Sequence, residues 1–146
     1  TFPTMPAIDF YILSTTGKQE RYQFVCKLAE KIFRQKQKAF FLTPSIEASE
    51  ILDNLLWTFR PGSFIPHQIL QKNSSSFYDQ LLISNQGVPE DWYGTLVNLT
   101  HQLVPNIEKL SRIIEIIDDN EACREEGRQR YRHYKKMKLI PNTHKM

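Results

Sequence analysis

Residues 9–42, DFYILSTTGKQERYQFVCKLAEKIFRQKQKAFFL, decide the fold. Asp9–Leu13 is a short apolar run that stops at Ser14-Thr15-Thr16-Gly17, so it reads as a strand entering a turn. Tyr22, Val25, Leu28, Ala29, Ile32 and Phe33 then recur at helical spacing with charges between them. That pattern predicts an amphipathic helix from about Lys18 to Gln35. Lys38–Leu42 reads as a second strand. A strand, a helix and a strand in this order form the unit from which parallel sheets are built.

The alternation continues downstream. Thr43 suits an N-cap with Pro44 in the first helical position. Ile51, Leu52, Leu55 and Leu56 carry a helix on to Pro61-Gly62, which ends it. Ser63–Ile65 reads as a brief extended piece, Gln71–Ser76 as a polar loop and Gln80–Ser84 as a strand. Gln86–Pro89 turns the chain, and Glu90–Tyr93 is expected to make a short helical turn. Thr95–Leu99 is a further strand and Ile107–Leu110 a helical turn. Arg112–Ile117 is β-branched and ends at Asp118-Asp119-Asn120, which also caps a last helix from about Glu121 to Lys138. The order predicts a three-layer, Rossmann-like α/β domain, with a mostly parallel central sheet and helices on both faces.

At 146 residues, with 40% hydrophobic and 24% charged positions, the chain fits one globular domain that needs no staples for its core. Residues 1–4 precede Met5, which can serve as a start, and read as an extension or cloning remnant; the domain is counted from residue 5 to residue 146. Cys26 and Cys123 lie far apart and form no CxxC pair. With no signal peptide and no apolar run able to span a bilayer, the expected compartment is the cytoplasm, with no membrane partner. Asn73-Ser74-Ser75 and Asn98-Leu99-Thr100 match glycosylation sequons, which carry no meaning there.

A sheet of this kind invites a nucleotide, but the residues argue against one. The first strand-to-helix turn offers only Gly17-Lys18, without the glycines that let backbone approach a pyrophosphate; a P-loop would need Ser or Thr where Gln19 stands. His67, His101, His133 and His144 show no metal-ligand spacing, so no metal is expected. Neither cysteine carries a catalytic signature, and Ser63 and Ser84 lack the nucleophile elbow. No cofactor follows, and a binding module is favoured over an enzyme.

The charge is asymmetric. From Arg124 to Met146 eight Lys/Arg face two Glu, a balance of +6, while the first 123 residues hold 11 Lys/Arg against 14 Asp/Glu, a balance of −3. At about 100° per residue, Cys123, Gly127, Tyr134 and Met137 share the face expected to meet the sheet. Gly127 weakens a helix and implies close approach to the Ile113–Ile117 strand. Arg130 falls on the apolar face, where it needs a carboxylate or must snorkel; the sequence names no partner for it. Arg124, Arg128, Arg132 and Lys135 fall on an adjacent face, with Tyr131 on the border.

Such a stripe has a bland reading as a solvated face. Its functional reading is a pocket for an anionic chain end. Arg128 would clamp a terminal carboxylate, Arg124 and Arg132 would attract flanking acids, and Tyr131 with Ile117 would wall an apolar last side chain. Single-stranded nucleic acid is the competing partner, but its sites interleave stacking aromatics over a wider surface.

Leu55–His67, LLWTFRPGSFIPH, places Trp57 and Phe64 beside a Pro-Gly turn. In an α/β domain both would ordinarily plug a core edge. The stretch also resembles, as LW…SFxPH, the chi subunit family of the bacterial DNA polymerase III holoenzyme, and RQRYRHY at 128–134 resembles that family's RxRYxxY helix. The similarity runs from Asp9 to Thr143. It implies an accessory subunit without an active site of its own, at the bacterial replication fork. Such a subunit links the clamp loader to the acidic, Phe-ended tail of single-stranded-DNA-binding protein, and its contact with DNA is mostly indirect. The resemblance places that tail at Ile117, Arg124, Arg128, Tyr131 and Arg132. It places the psi subunit, or a helicase, at Trp57, Phe64, Pro66 and His67, with Phe64 as the exposed anchor, Pro66 setting the turn and His67 tying the loop. A direct single-stranded-DNA binder or a helicase-associated repair adaptor is the alternative.

Overall fold

The computed structural model describes residues 5–59, 65–70 and 81–146. Strands β1 (Ala7–Ile12), β2 (Ala39–Leu42), β3 (His67–Ile69), β4 (Leu81–Ser84), β5 (Thr95–Asn98), β6 (Arg112–Ile117) and β7 (Asn142–Lys145) form one sheet. Its order is β3-β4-β2-β5-β6-β1-β7, and every neighbouring pair is parallel. Helix α1 (Lys18–Arg34) joins β1 to β2, α2 (Ile46–Thr58) follows β2, and α3 (Glu121–Lys136) carries the chain from β6 to β7.

Alternation along each strand divides the core. Ala39, Phe41, Leu81, Ile83, Ile114 and Ile116 pack under α1 and α2, meeting Val25, Ala29, Ile32, Leu52 and Leu56. Phe40, Leu42, Leu82, Leu96, Ile113 and Ile117 point to the opposite face, where Cys123 and Tyr134 of α3 join Trp92 and Leu110. The central strands are buried on both faces, as a doubly covered parallel sheet requires. This is the three-layer arrangement that the strand and helix order predicts.

Several local readings are corrected. Thr43 does not cap α2: its N–H donates to the Ser84 carbonyl at 2.9 Å, so it still extends the ladder. The cap is Ser45, whose Oγ accepts from the Ala48 N–H at 3.1 Å, and the helix opens at Ile46. The third strand begins at His67, after Pro66, because proline has no N–H for the ladder; residues 63 and 64 of the expected extended piece lie outside the described residues. The helical turn expected over 90–93 is a single turn over residues 89–92, closed by Trp92 N–H to the Pro89 carbonyl at 3.1 Å. β7, a strand for which the sequence pattern gives no expectation, pairs in register with β1 from Asp9↔Asn142 to Ile12↔Lys145.

Two contacts seat α3. Gly127 lies so near β6 that a Cβ there would stand 2.7 Å from Ile117 Cδ1, the close approach its presence in mid-helix implies. Arg130, only 3% exposed, donates from Nε to Glu115 Oε1 at 3.1 Å and from Nη1 to the His101 carbonyl at 3.1 Å. Tyr134 Oη donates to Glu115 Oε2 at 2.6 Å, and Asn98 Nδ2 reaches the same carboxylate at 3.2 and 3.3 Å. Burial pushes the Glu115 carboxyl up, against the opposing pull of the Arg130 charge and of hydrogen bonds from Tyr134, Asn98 and Arg130. Burial and then the adjoining carboxylate push the Tyr134 phenol up as well.

A buried pair stripped of one partner leaves an uncompensated charge. Arg130→Met is therefore expected to cost about 3–5 kcal/mol in chemical denaturation, and adding Glu115→Gln to recover part of that loss. An Arg130→Met variant as stable as the parent would show that the pair does not hold α3.

Candidate functional site

Because α3 crosses from β6 to the edge strand β7, it passes over β1 and leaves a cleft along the β7 side. Phe10 of β1 packs edge-on to Tyr131 at 5.5 Å and to Tyr134 at 6.0 Å, which fixes the ring of Tyr131 at the cleft border. The cleft is about 650 Å³, within the range of small-ligand and peptide-end sites. Apolar lining comes from Phe10, Ile12 and Ile117, and Gly127 contributes no side chain. Arg124, Arg128 and Arg132 line it from α3, Thr143 and Lys145 from β7. The structure thus brings Ile117, Arg124, Arg128, Tyr131 and Arg132 to one concavity.

The arginines differ in their present partners. Arg128 is exposed and donates from Nη1 to Glu125 Oε2 at 3.0 Å and to Glu121 Oε1 at 3.4 Å. These hydrogen bonds, Glu125 first, hold its guanidinium above its ordinary range. Arg124 Nη2 meets Asp119 Oδ1 at 2.7 Å, while its Nε is buried without a hydrogen-bond partner among the described residues. Arg132 and Lys145 have no acidic partner among the described residues. Lys135 lies 5.7 Å from the centroid of the Tyr131 ring.

β7 was the part of this site that local sequence did not announce. Its residues, Asn142-Thr143-His144-Lys145, have little strand character. Tertiary contacts hold it. His144 Nε2 lies 2.9 Å from Asp9 Oδ1, its ring stacks on Tyr11 at 4.7 Å, and Met146 N–H donates to the Ile12 carbonyl at 2.9 Å. Asp9 also accepts from Arg112 Nε at 2.7 Å. Burial alone would raise the Asp9 carboxyl, but hydrogen bonds from His144 and Arg112, with the Arg112 charge, together lower it.

The second group lies at the opposite edge, beside β3. Trp57 is 47% exposed near the end of α2, its ring 4.5 Å from that of His67. His67 is buried, with Nδ1 2.6 Å from the Ile65 carbonyl and Nε2 3.1 Å from both the Asp53 carbonyl and Oδ1. These contacts tie the segment from Ile65 to His67 to α2. Pro66 is partly buried. Phe64 lies outside the described residues.

Another concavity, about 560 Å³, lies at the carboxyl ends of the strands, where folds of this class take nucleotides. Its chemistry does not suit a phosphate. The Glu20 carboxylate folds against Gly17 at the start of α1, and Arg21 is engaged by Asp118 and the Leu99 carbonyl. Glu47 and Glu126 add further negative charge. Among the described residues there is no group of His, Cys, Asp or Glu able to hold a metal, and burial pushes the Cys26 thiol up to about 11. No described helix is long and apolar enough to cross a membrane.

The domain is thus an all-parallel three-layer α/β structure with a cationic cleft at one sheet edge. The family model described as DNA polymerase III chi subunit, HolC, matches residues 5–140, and the chain belongs to that family. It is 26% identical over 142 residues to the DNA polymerase III subunit chi of Pseudomonas aeruginosa, covering 97% of this chain and 98% of that one. It is 24% identical over 132 residues to the Haemophilus influenzae subunit of the same name, covering 85% and 86%. A replication accessory role in the DNA polymerase III assembly follows from that membership.

Asp9 anchors the cleft's outer wall, which gives a pH dependence. A carboxyl whose folded pKa is depressed stabilises the fold above its unfolded value of 3.8, and that contribution is lost as pH falls through the lower folded value. Acid unfolding followed by circular dichroism is expected to be shallower below pH 3.8 in D9N than in the parent. Superimposable curves would show that the Asp9 cluster carries no such linkage.

Proposed function

We propose that this chain is a non-catalytic adaptor at the replication fork in the bacterial cytoplasm. The cleft beside α3 takes the acidic C-terminal tail of single-stranded-DNA-binding protein. The Trp57–His67 corner takes the psi subunit of the clamp loader or a helicase. The observation that carries the reading is the convergence of Ile117, Arg124, Arg128, Tyr131 and Arg132 on one cleft with an apolar floor and a cationic rim. A free carboxylate fits the two-pronged guanidinium, and an aromatic end residue fits the Ile117 and Tyr131 wall. The two sites flank opposite edges of the sheet, so both partners can be held at once. Linking two weak contacts in this way raises the local concentration of each partner.

Arg128→Ala is expected to weaken binding of an acidic, Phe-terminated peptide by roughly tenfold or more, and added salt to weaken binding by the parent chain. Unchanged affinity of Arg128→Ala in calorimetry removes Arg128 from the site. Phe64→Ala is expected to leave the fold and peptide binding intact while abolishing capture of psi or the helicase; global unfolding instead would make Phe64 a core residue.

Direct contact with single-stranded DNA is the second reading. It is favoured by the exposed Lys135, Lys136 and Lys138, which have no acidic partner among the described residues. Tight binding of an oligonucleotide without any protein partner would support it over the tail.

A further inference from the structure

Resting on the tail-binding reading, we propose that Glu121, Glu125 and Asp119 are internal competitors. Their carboxylates hold the cleft arginines in the free protein, and the incoming tail displaces them.

The cleft contains two kinds of cation. Arg128 and Arg124 are already engaged, the first by Glu125 and Glu121, the second by Asp119. Arg132 and Lys145 line the same cleft with no acidic partner among the described residues. An acid in the first helical turn, such as Glu121, is ordinary, because it complements the helix dipole. Glu125 lies a turn further on, beyond most of that benefit, and makes the shorter contact with Arg128.

The engaged pairs are poised to exchange. Both side chains of the Arg128–Glu125 pair are 48% exposed, and exposed pairs add little to fold stability. They also use the guanidinium poorly. Arg128 meets both glutamates through Nη1 alone, Arg124 meets Asp119 through Nη2, and Arg124 Nε is buried with no partner among the described residues. A guanidinium offers five donors in a planar fork. A ligand carboxylate that takes two prongs replaces a one-point contact with a two-point one.

Binding then has two stages. Arg132 and Lys145 attract the acidic segment and govern encounter, while Arg128 and Arg124 exchange an internal carboxylate for an external one and govern release. The internal acids act as a filter. An anion that cannot supply a well-placed carboxylate must break the pairs without replacing them, so specificity rises as absolute affinity falls.

Calorimetric titration of an acidic, Phe-terminated peptide at low salt tests this on the full chain. E125Q is expected to bind the peptide about 1.5- to 5-fold more tightly than the parent, and E121Q/E125Q more tightly still. E125D keeps the charge but shortens the reach to Arg128, and it too should tighten binding. E126Q removes the same charge from the same helix, but Glu126 pairs with His101 at 2.8 Å rather than with a cleft arginine, so it should change affinity less. The E125Q gain should vanish when combined with R128A. Equal gains in E125Q and E126Q, a gain that persists with R128A, or no gain at all would each overturn the proposal, while binding by the parent and its loss in R128A would leave the tail site standing. Absence of peptide binding by the parent would overturn both.

Discussion

The ion pair between Arg130 and Glu115 is the constraint on which the rest depends. Neither side chain has appreciable access to water, and burying two charges is unfavourable unless their remaining hydrogen-bonding capacity is met. Here it is met from three directions: Tyr134 one turn along the same helix, Asn98 at the end of β5, and the His101 carbonyl in the following loop. One carboxylate thereby joins α3 to β6 and β5. The same Asn98 donates to the Gln102 carbonyl at 2.9 Å and accepts from the Thr100 N–H at 3.0 Å, so the loop is held as well.

That network also sets the rotation of α3. With Arg130 and Tyr134 turned to the sheet, Arg124, Arg128 and Arg132 lie roughly a third to a half turn away at 100° per residue. They therefore point along the edge rather than into the core. Gly127 sets the remaining variable, the height of the helix above Ile117. A basic helix becomes one wall of a cleft because an arginine in its middle is consumed by the interior.

Much of this was legible in the sequence, and the reasons differ from element to element. The βαβ order, the long periods of α1 and α3, and the β-branched Arg112–Ile117 strand follow from patterns of apolar residues, which burial on defined faces imposes locally. The glycine at 127 and the inward Arg130 could be read off the helical wheel. The partner of Arg130 could not, since Glu115 is separated from it by a strand end, a turn and two helical turns. Thr43 misled because its residue type suits a cap, whereas its backbone was already committed to the ladder with Ser84. The chi-family resemblance pointed to cleft residues that periodicity alone left as an ordinary solvated stripe.

By itself the sequence determined the layer order, the two cores and the face of the last helix that carries charge, because hydrophobic period and capping act over a few residues. Tertiary structure alone decided that Asn142–Lys145 would become an edge strand, since its pairing with β1 and the Asp9–His144 and Tyr11–His144 contacts outweigh weak local propensity. It decided, too, that the cationic stripe has a cleft beside it. A cleft is space between elements distant along the chain, and no local pattern encodes the distance between them.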